Sequence, residues 1–143
     1  MKITKKWLVT HNACFGDLER FQTVFPRGAN ITHANVIKAV EAGLDLEWLA
    51  EHLFHKEVWD AYDSACAPFD DDYRTKKIPI LVAYDKARQR LNKQKLTIEE
   101  VVERSAEIAS IRDALMAPLR KACKLGCAEA FWRTYENNSG LVG

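Results

Sequence analysis

The sequence predicts an all-α fold, a compact array of about six to eight helices around a central helical hairpin. Apolar side chains recur at three- and four-residue spacing through most of the chain, and polar capping residues precede several of these runs. The brief alternation of Ile78, Ile80 and Val82 is too short to outweigh the helical pattern around it. A hydrophobic content of 48% is sufficient for a core and excludes global disorder. We expect one domain, 1–143, with a possible subdivision into 1–67 and 78–136.

Two short helices are expected before residue 31. The first is predicted from Thr4, its N-cap, to about Asn12. The second is indicated by helically spaced apolar residues, Leu18, Phe21, Val24 and Phe25. Pro26 closes the second helix because proline disfavours helical continuation, and residues 27–30 have the composition of a turn.

The stretch from Ile31 to His55 predicts the central hairpin. Thr32 is an expected N-cap, and Gly43 ends the first helical run. Asp45 then caps a second run that places leucines along one face. A tight turn between two short amphipathic helices is therefore expected here.

The second half of the chain predicts longer helices separated by prolines. One helix is expected from Glu57 to Ala67, followed by an acidic loop through Asp72. Another begins near Pro79, since proline is tolerated in a first helical turn. Thr97 and Glu100 form a capping box before a long helix, which Pro118 either kinks or ends.

Charge is distributed in two adjacent blocks of opposite sign. Residues 41–72 contain ten acids and one base, a net charge of −9, whereas residues 74–95 contain eight bases and one acid, a net charge of +7. Such blocks indicate internal pairing or a dipolar surface for a partner, and two solvated helix faces are the alternative.

The chain lacks the signals of secretion or membrane insertion. No apolar run reaches the roughly 18 to 20 residues that span a bilayer, and the apolar part of the N-terminus is too short for a signal peptide. The four cysteines do not form a disulfide framework in a chain of this size. We therefore expect a cytoplasmic protein without a membrane partner.

The leading functional prediction is a small non-enzymatic protein that binds another protein through an acidic and aromatic face. No phosphate-binding loop, nucleophile elbow or zincin motif occurs, so no catalytic residue and no cofactor are assigned. Acidic residues would steer a partner and tryptophans would anchor it. The predicted partner-binding residues are Glu47, Trp48, Glu51, Trp59, Asp60 and Asp63.

Nucleic-acid binding is the first alternative. The basic segment 84–95 could contact phosphates through Lys86, Arg88, Arg90 and Lys93. The hairpin at 31–55 shares the layout of a helix-turn-helix, but its second helix carries Asp45, Glu47 and Glu51, which would repel phosphates.

A metal site is the second alternative. Cys123 and Cys127 lie four residues apart on one helix face and could contribute to a zinc site, although packing in a helical core is the favoured explanation. His52 and His55 could form half a site, and the acidic run 70–72 lacks the ligand alternation of a calcium loop. We assign no metal ligand from the sequence.

A pattern in the first 55 residues resembles a group of small bacterial and phage proteins of unknown function. It consists of Trp7-Leu8, Ala13-Cys14, Phe21, Phe25-Pro26, Gly28, Ala42-Gly43-Leu44-Asp45 and Trp48-Leu49. This chain departs from the pattern after Cys14, where Asp17 occupies the position of a glycine and Gly16 precedes it. The resemblance implies a phage or prophage setting, and hence a host or phage protein, such as a defence complex, as partner. It transfers no site residues.

Overall fold

A computed structural model describes residues 1–140, and the predicted all-α class is confirmed. Six helices and one two-stranded sheet occur among these residues. Their bounds in chain order are β1 Lys2–Ile3, α1 Lys5–Thr10, α2 Phe15–Val24, β2 Ala29–Asn30, α3 His33–Glu41, α4 Leu46–Leu53, α5 Lys56–Asn92 and α6 Ile98–Asn137.

The predicted helix caps are all present. The side chains of Thr4, Thr32 and Asp45 each accept a hydrogen bond from the backbone N–H three residues later. At the start of α6, the backbone N–H of Glu100 donates to Thr97 Oγ1 at 3.3 Å, and the N–H of Thr97 donates to Glu100 Oε2 at 2.9 Å. Four helix starts are therefore encoded locally, by side chains that satisfy otherwise unpaired backbone donors.

The segment predicted as a turn at residues 27–30 also contains a strand. Ala29 pairs with Ile3 and Asn30 with Lys2 in an antiparallel arrangement. Gly28 permits this pairing because its φ is +80° and a Cβ there would lie 2.7 Å from the carbonyl oxygen of Ile3. A side chain at position 28 would clash with the backbone of β1.

The helix boundaries predicted at Pro68 and Pro79 are wrong, because both prolines lie inside α5. Pro118 lies inside α6, so it does not start a new helix. The predicted end before Pro26 is confirmed, because α2 ends at Val24. The expected acidic loop at 67–72 is therefore helical. There Asp71 and Asp72 pair with Arg74 and Lys76, one turn further along. An internal proline removes one backbone hydrogen bond at a cost of about 3 kcal/mol, which contacts elsewhere along helices of 37 and 40 residues offset.

The chain divides into two compact units. The N-terminal unit comprises Met1–Ala67 together with the end of the chain from Lys124, and the hairpin unit comprises Pro68–Cys123. In the N-terminal unit a contiguous core surrounds Phe131, whose side chain is fully buried. The rings of Phe54 and Tyr62 lie 5.1 and 6.0 Å from that of Phe131.

The hairpin unit has a much thinner core. Its α5 segment presents its less exposed residues at alternating four- and three-residue steps: Tyr73, Lys77, Ile80, Tyr84, Ala87 and Leu91. This spacing is that of a coiled-coil seam. The guanidinium of Arg112 on α6 lies 4.6 Å from the ring centre of Tyr84 on α5. Within residues 68–123, Leu91 and Met116 are the buried apolar residues.

Candidate functional site

An apolar pocket lies within the N-terminal unit and is lined by residues of α1 to α4 and the loops between them. Its volume is about 70 Å³. The wall is formed mainly by aliphatic and aromatic side chains, including Leu8, Phe21, Val36, Ala39, Leu46 and Leu49. Ligand sites are likewise mostly apolar with few polar groups, but at about 300–1,000 Å³ they are usually larger than this pocket.

Polar side chains also line the pocket. Asp17, Asn35 and Asp45 are among them, and none of the three is buried. Asp17 Oδ1 also accepts a hydrogen bond from Arg20 at 2.9 Å. Because this ion pair reduces the net charge of Asp17, Asp45 supplies most of the negative charge beside the apolar cavity. A carboxylate at this position favours a ligand that combines an apolar group with a positive charge.

The α3–α4 turn positions one wall of this pocket. Gly43 has a φ of +78°, a conformation that glycine adopts without strain, and ends the first helix of the predicted hairpin. Asp45 then caps α4 and holds its first turn, so that Trp48 and Leu49 contribute to the lining. The predicted hairpin is confirmed, and it builds the pocket through its turn and its second helix.

The outer surface of α4 is acidic. Glu47 and Glu51 are exposed one helical turn apart, and the helix contains no lysine or arginine. Trp48 is half-buried between this surface and the pocket. Three of the predicted partner-binding residues are therefore on one short helix that also forms part of the pocket.

The other three predicted partner-binding residues lie on α5. Asp60 accepts a hydrogen bond from Lys56 at 2.7 Å, an ion pair that reduces its net charge, whereas Asp63 is exposed. The hydrogen bond to Asp60 raises the pKa of Lys56. Trp59 is half-buried and packs against the core, with its ring 5.6 Å from that of Tyr62. This part of the predicted face therefore offers less free charge than α4, whereas Trp59 and Trp48 are both half-buried against the core.

A buried phenol lies on the inner side of α5. Burial raises the pKa of Tyr62 far above its usual range, and the neighbouring Cys66, Cys127 and Glu47 act in the same direction. Tyr62 is thus a neutral core residue at all physiological pH values.

The basic segment of α5 is exposed, but it is not an isolated basic surface. Lys86, Arg88, Arg90 and Lys93 all face solvent. The following turn and α6 add acidic residues, so that residues 84–107 contain six bases and five acids, a net charge of +1. Phosphate binding requires an excess of positive charge, and this surface supplies little.

The two cysteines proposed for zinc lie one turn apart on α6, and both are half-buried. The Cys123 thiol donates a hydrogen bond to Asp70 Oδ1 at 3.3 Å. Cys127 contributes to the core of the N-terminal unit near Tyr62. A zinc site at these residues stays a prediction.

Sequence reasoning did not identify the pocket itself. Asp17, Asn35 and Ala39 lie on α2 and α3, and they meet α4 only in the tertiary structure.

Comparison of this chain with family models, curated proteins and solved structures found no match. Among residues 1–140, no helix is long and apolar enough to cross a membrane.

Proposed function

We propose that this chain is a non-enzymatic binding protein that takes an apolar side chain of a basic protein segment into the pocket of the N-terminal unit. The observation that carries the proposal is the position of α4. This helix contributes Trp48 and Leu49 to the pocket and exposes Glu47 and Glu51 beside it.

The pocket supports an apolar anchor on the partner. Its volume of about 70 Å³ is suited to one aliphatic side chain or part of an aromatic ring, and not to a large metabolite. Burial of such a side chain contributes about 1.5–3 kcal/mol through the hydrophobic effect. An anchor of this size at the centre of an interface is typical of a binding hot spot.

The charges support a basic segment around that anchor. Asp45 lines the pocket, and Glu47 and Glu51 extend the negative surface along α4. Carboxylates arranged in this way accelerate association with a positively charged partner and disfavour an acidic one. A partner segment in which lysine or arginine flanks an apolar residue supplies both the anchor for the pocket and the positive charge.

The source of the partner follows from the resemblance of the first 55 residues to small phage and bacterial proteins. We therefore place the partner among host or phage proteins, including components of defence or nucleic-acid-processing complexes. In such a complex, the basic surface of the partner would normally bind nucleic acid. The acidic helix α4 would bind to that surface in its place. The binding protein would act in the cytoplasm, without a cofactor.

The experiment is a tagged pull-down from bacterial lysate, with and without nuclease, read by quantitative mass spectrometry. We expect a stoichiometric protein that remains after nuclease treatment. A set of proteins that disappears with nuclease would contradict the proposal and favour the basic segment of α5.

The captured protein should then be titrated against Glu47→Gln/Glu51→Gln and against the matched pair Glu99→Gln/Glu103→Gln on α6. We expect only the α4 pair to weaken binding, by about tenfold at low salt, and the difference should shrink as salt screens the charges. Equal affinities for the two double variants would contradict the role of α4.

A further inference from the structure

Four aromatic rings form a cluster on the surface of the N-terminal unit. Trp7 and His11 are stacked on α1 and its C-cap, with ring centres 3.9 Å apart. Trp48 and His52 are stacked in the same way on α4, at 4.2 Å. The two pairs meet, because the tryptophan rings lie 6.2 Å apart and the histidine rings 5.9 Å apart.

Each pair follows from its helical spacing. Residues four apart lie above one another on a helix, so a tryptophan and a histidine at these positions stack without distortion. His11 is the C-cap of α1 and His52 lies in the last turn of α4. The partial negative charge at helix C-termini favours a cation at both positions.

The hydrogen bonds of the two histidines assign their tautomers. His11 Nδ1 lies 2.8 Å from the carbonyl oxygen of Trp7, and His52 Nδ1 lies 2.8 Å from that of Trp48. A carbonyl oxygen can only accept, so Nδ1 carries the hydrogen in both rings. In the neutral imidazole the lone pair is therefore on Nε2.

This arrangement is the one found around metal-binding histidines. There the second ring nitrogen usually donates to a carbonyl or carboxylate, which fixes the ring and its tautomer. Stacking on tryptophan restrains both rings further. His33 differs, because its Nε2 is engaged by Glu129 Oε2 at 2.7 Å.

The separation of the rings is close to that required for a shared ion. With a metal–nitrogen bond of about 2.0–2.1 Å, an ion lies roughly 3 Å from each ring centre, so a tetrahedral site places two ring centres roughly 5 Å apart and a linear arrangement roughly 6 Å apart. The observed 5.9 Å is at the wide end of this range, so we expect the two rings to approach each other by about 1 Å when a tetrahedral ion such as Zn²⁺ binds. From this geometry we infer that His11 and His52 bind one divalent transition-metal ion of the class that prefers imidazole, such as Zn²⁺, Ni²⁺ or Cu²⁺, through their Nε2 atoms.

Two imidazoles leave coordination positions open to water or to a group of a partner. The site does not depend on the proposed function, because none of the pocket carboxylates takes part in it. Its failure would leave the pocket proposal standing, and the reverse is also true.

The first test is calorimetric titration of the full chain with Zn²⁺. We expect saturable binding of one ion per chain and at least about tenfold weaker binding by His52→Gln, since even loss of an outer hydrogen bond usually costs tenfold or more. His55→Gln is the matched control, because His55 is exposed three residues further on and lacks a tryptophan four residues before it. Cys123→Ser controls for zinc bound by thiols. Unchanged affinity in His52→Gln, or loss of binding in Cys123→Ser, would overturn the assignment.

The second test is a long-range ¹H–¹⁵N correlation spectrum of the imidazoles, which distinguishes ligation from a structural role. Without zinc we expect Nδ1-protonated tautomers for His11 and His52. With zinc, the Nε2 resonances of these two rings should shift and those of His33 should not. Shifts confined to other histidines, or no shifts, would contradict the inference.

Discussion

In the N-terminal unit a contiguous core runs from Ile3 to Tyr135, whereas the hairpin unit buries little more than Leu91 and Met116 within residues 68–123. Several large apolar residues of the hairpin unit are instead exposed: Ile78, Val82, Ile98, Val102, Ile111 and Leu115. Short helices that cross from several directions can enclose side chains and leave a pocket. A pair of long helices buries only the seam between them. The apolar pocket is accordingly found in the first kind of packing.

The largest predicted difference between the units concerns matched leucines. Leu53→Ala, in the core of the N-terminal unit, should lower the free energy of unfolding by about 2–5 kcal/mol, because it leaves a cavity. Leu115→Ala, at a position 53% exposed on α6, should change it by about 0.5 kcal/mol or less. Urea denaturation of the two variants measures both values. Equal losses would show that the hairpin unit is stabilised as the N-terminal unit is.

The pocket itself gives the next prediction. Ala39→Leu should fill part of the cavity and raise the free energy of unfolding by about 0.5–2 kcal/mol. Ala50→Leu is the control, since Ala50 is fully buried but does not line the pocket. There the added atoms should overpack the core and destabilise by about 1–3 kcal/mol. Thermal denaturation distinguishes the two signs, and destabilisation of both variants would mean that no usable cavity exists at Ala39.

A thinly packed hairpin should depend on its local capping. Thr97→Ala removes the side-chain acceptor at the start of α6 and should cost about 1 kcal/mol. Thr75→Ala, at an exposed position inside α5, should cost nothing measurable, because alanine is the better helix former. Hydrogen exchange at residues 98–104 should accelerate only in the first variant. Unchanged exchange would show that tertiary packing, and not the cap, holds this end of α6.

The smallest effect concerns pH and the N-terminal unit. Hydrogen bonds from His33 and Arg133 lower the pKa of Glu129. A lowered pKa stabilises the fold above the unfolded-state value, and this contribution is lost as the pH falls through the folded-state value. Glu129 is 38% exposed, so solvent screening limits the effect to a few tenths of a kcal/mol. Urea denaturation at a series of pH values measures the free energy of unfolding. In Glu129→Gln this free energy should fall slightly less steeply at acid pH than in wild type, whereas in Glu136→Gln it should fall as in wild type.

Much of the fold could be predicted because its signals are local. Caps at Thr4, Thr32, Asp45 and Thr97 act over three residues, and all four were confirmed by hydrogen bonds. Gly43 ended its helix as predicted, since glycine adopts a positive φ without steric strain.

Other features depend on distant contacts and could not be predicted in this way. Pro68 was predicted to end a helix and Pro79 to begin one, yet α5 accommodates both, and α6 continues through Pro118. The strands at Lys2–Ile3 and Ala29–Asn30 are too short to show alternation. The pocket unites residues from position 3 to position 49. For the candidate site, sequence composition identified the acidic and aromatic helix α4, but not the cavity beside it.

The most direct test of the account compares two variants in binding the partner captured by the wild-type chain from nuclease-treated lysate. One is Ala39→Leu in the pocket, and the other replaces Lys86, Arg88, Arg90 and Lys93 of the hairpin unit with glutamine. We expect Ala39→Leu, folded and at least as stable as wild type, to lose the partner while the quadruple variant retains it. Retention by Ala39→Leu with loss in the quadruple variant would contradict the proposal and place binding on the hairpin unit.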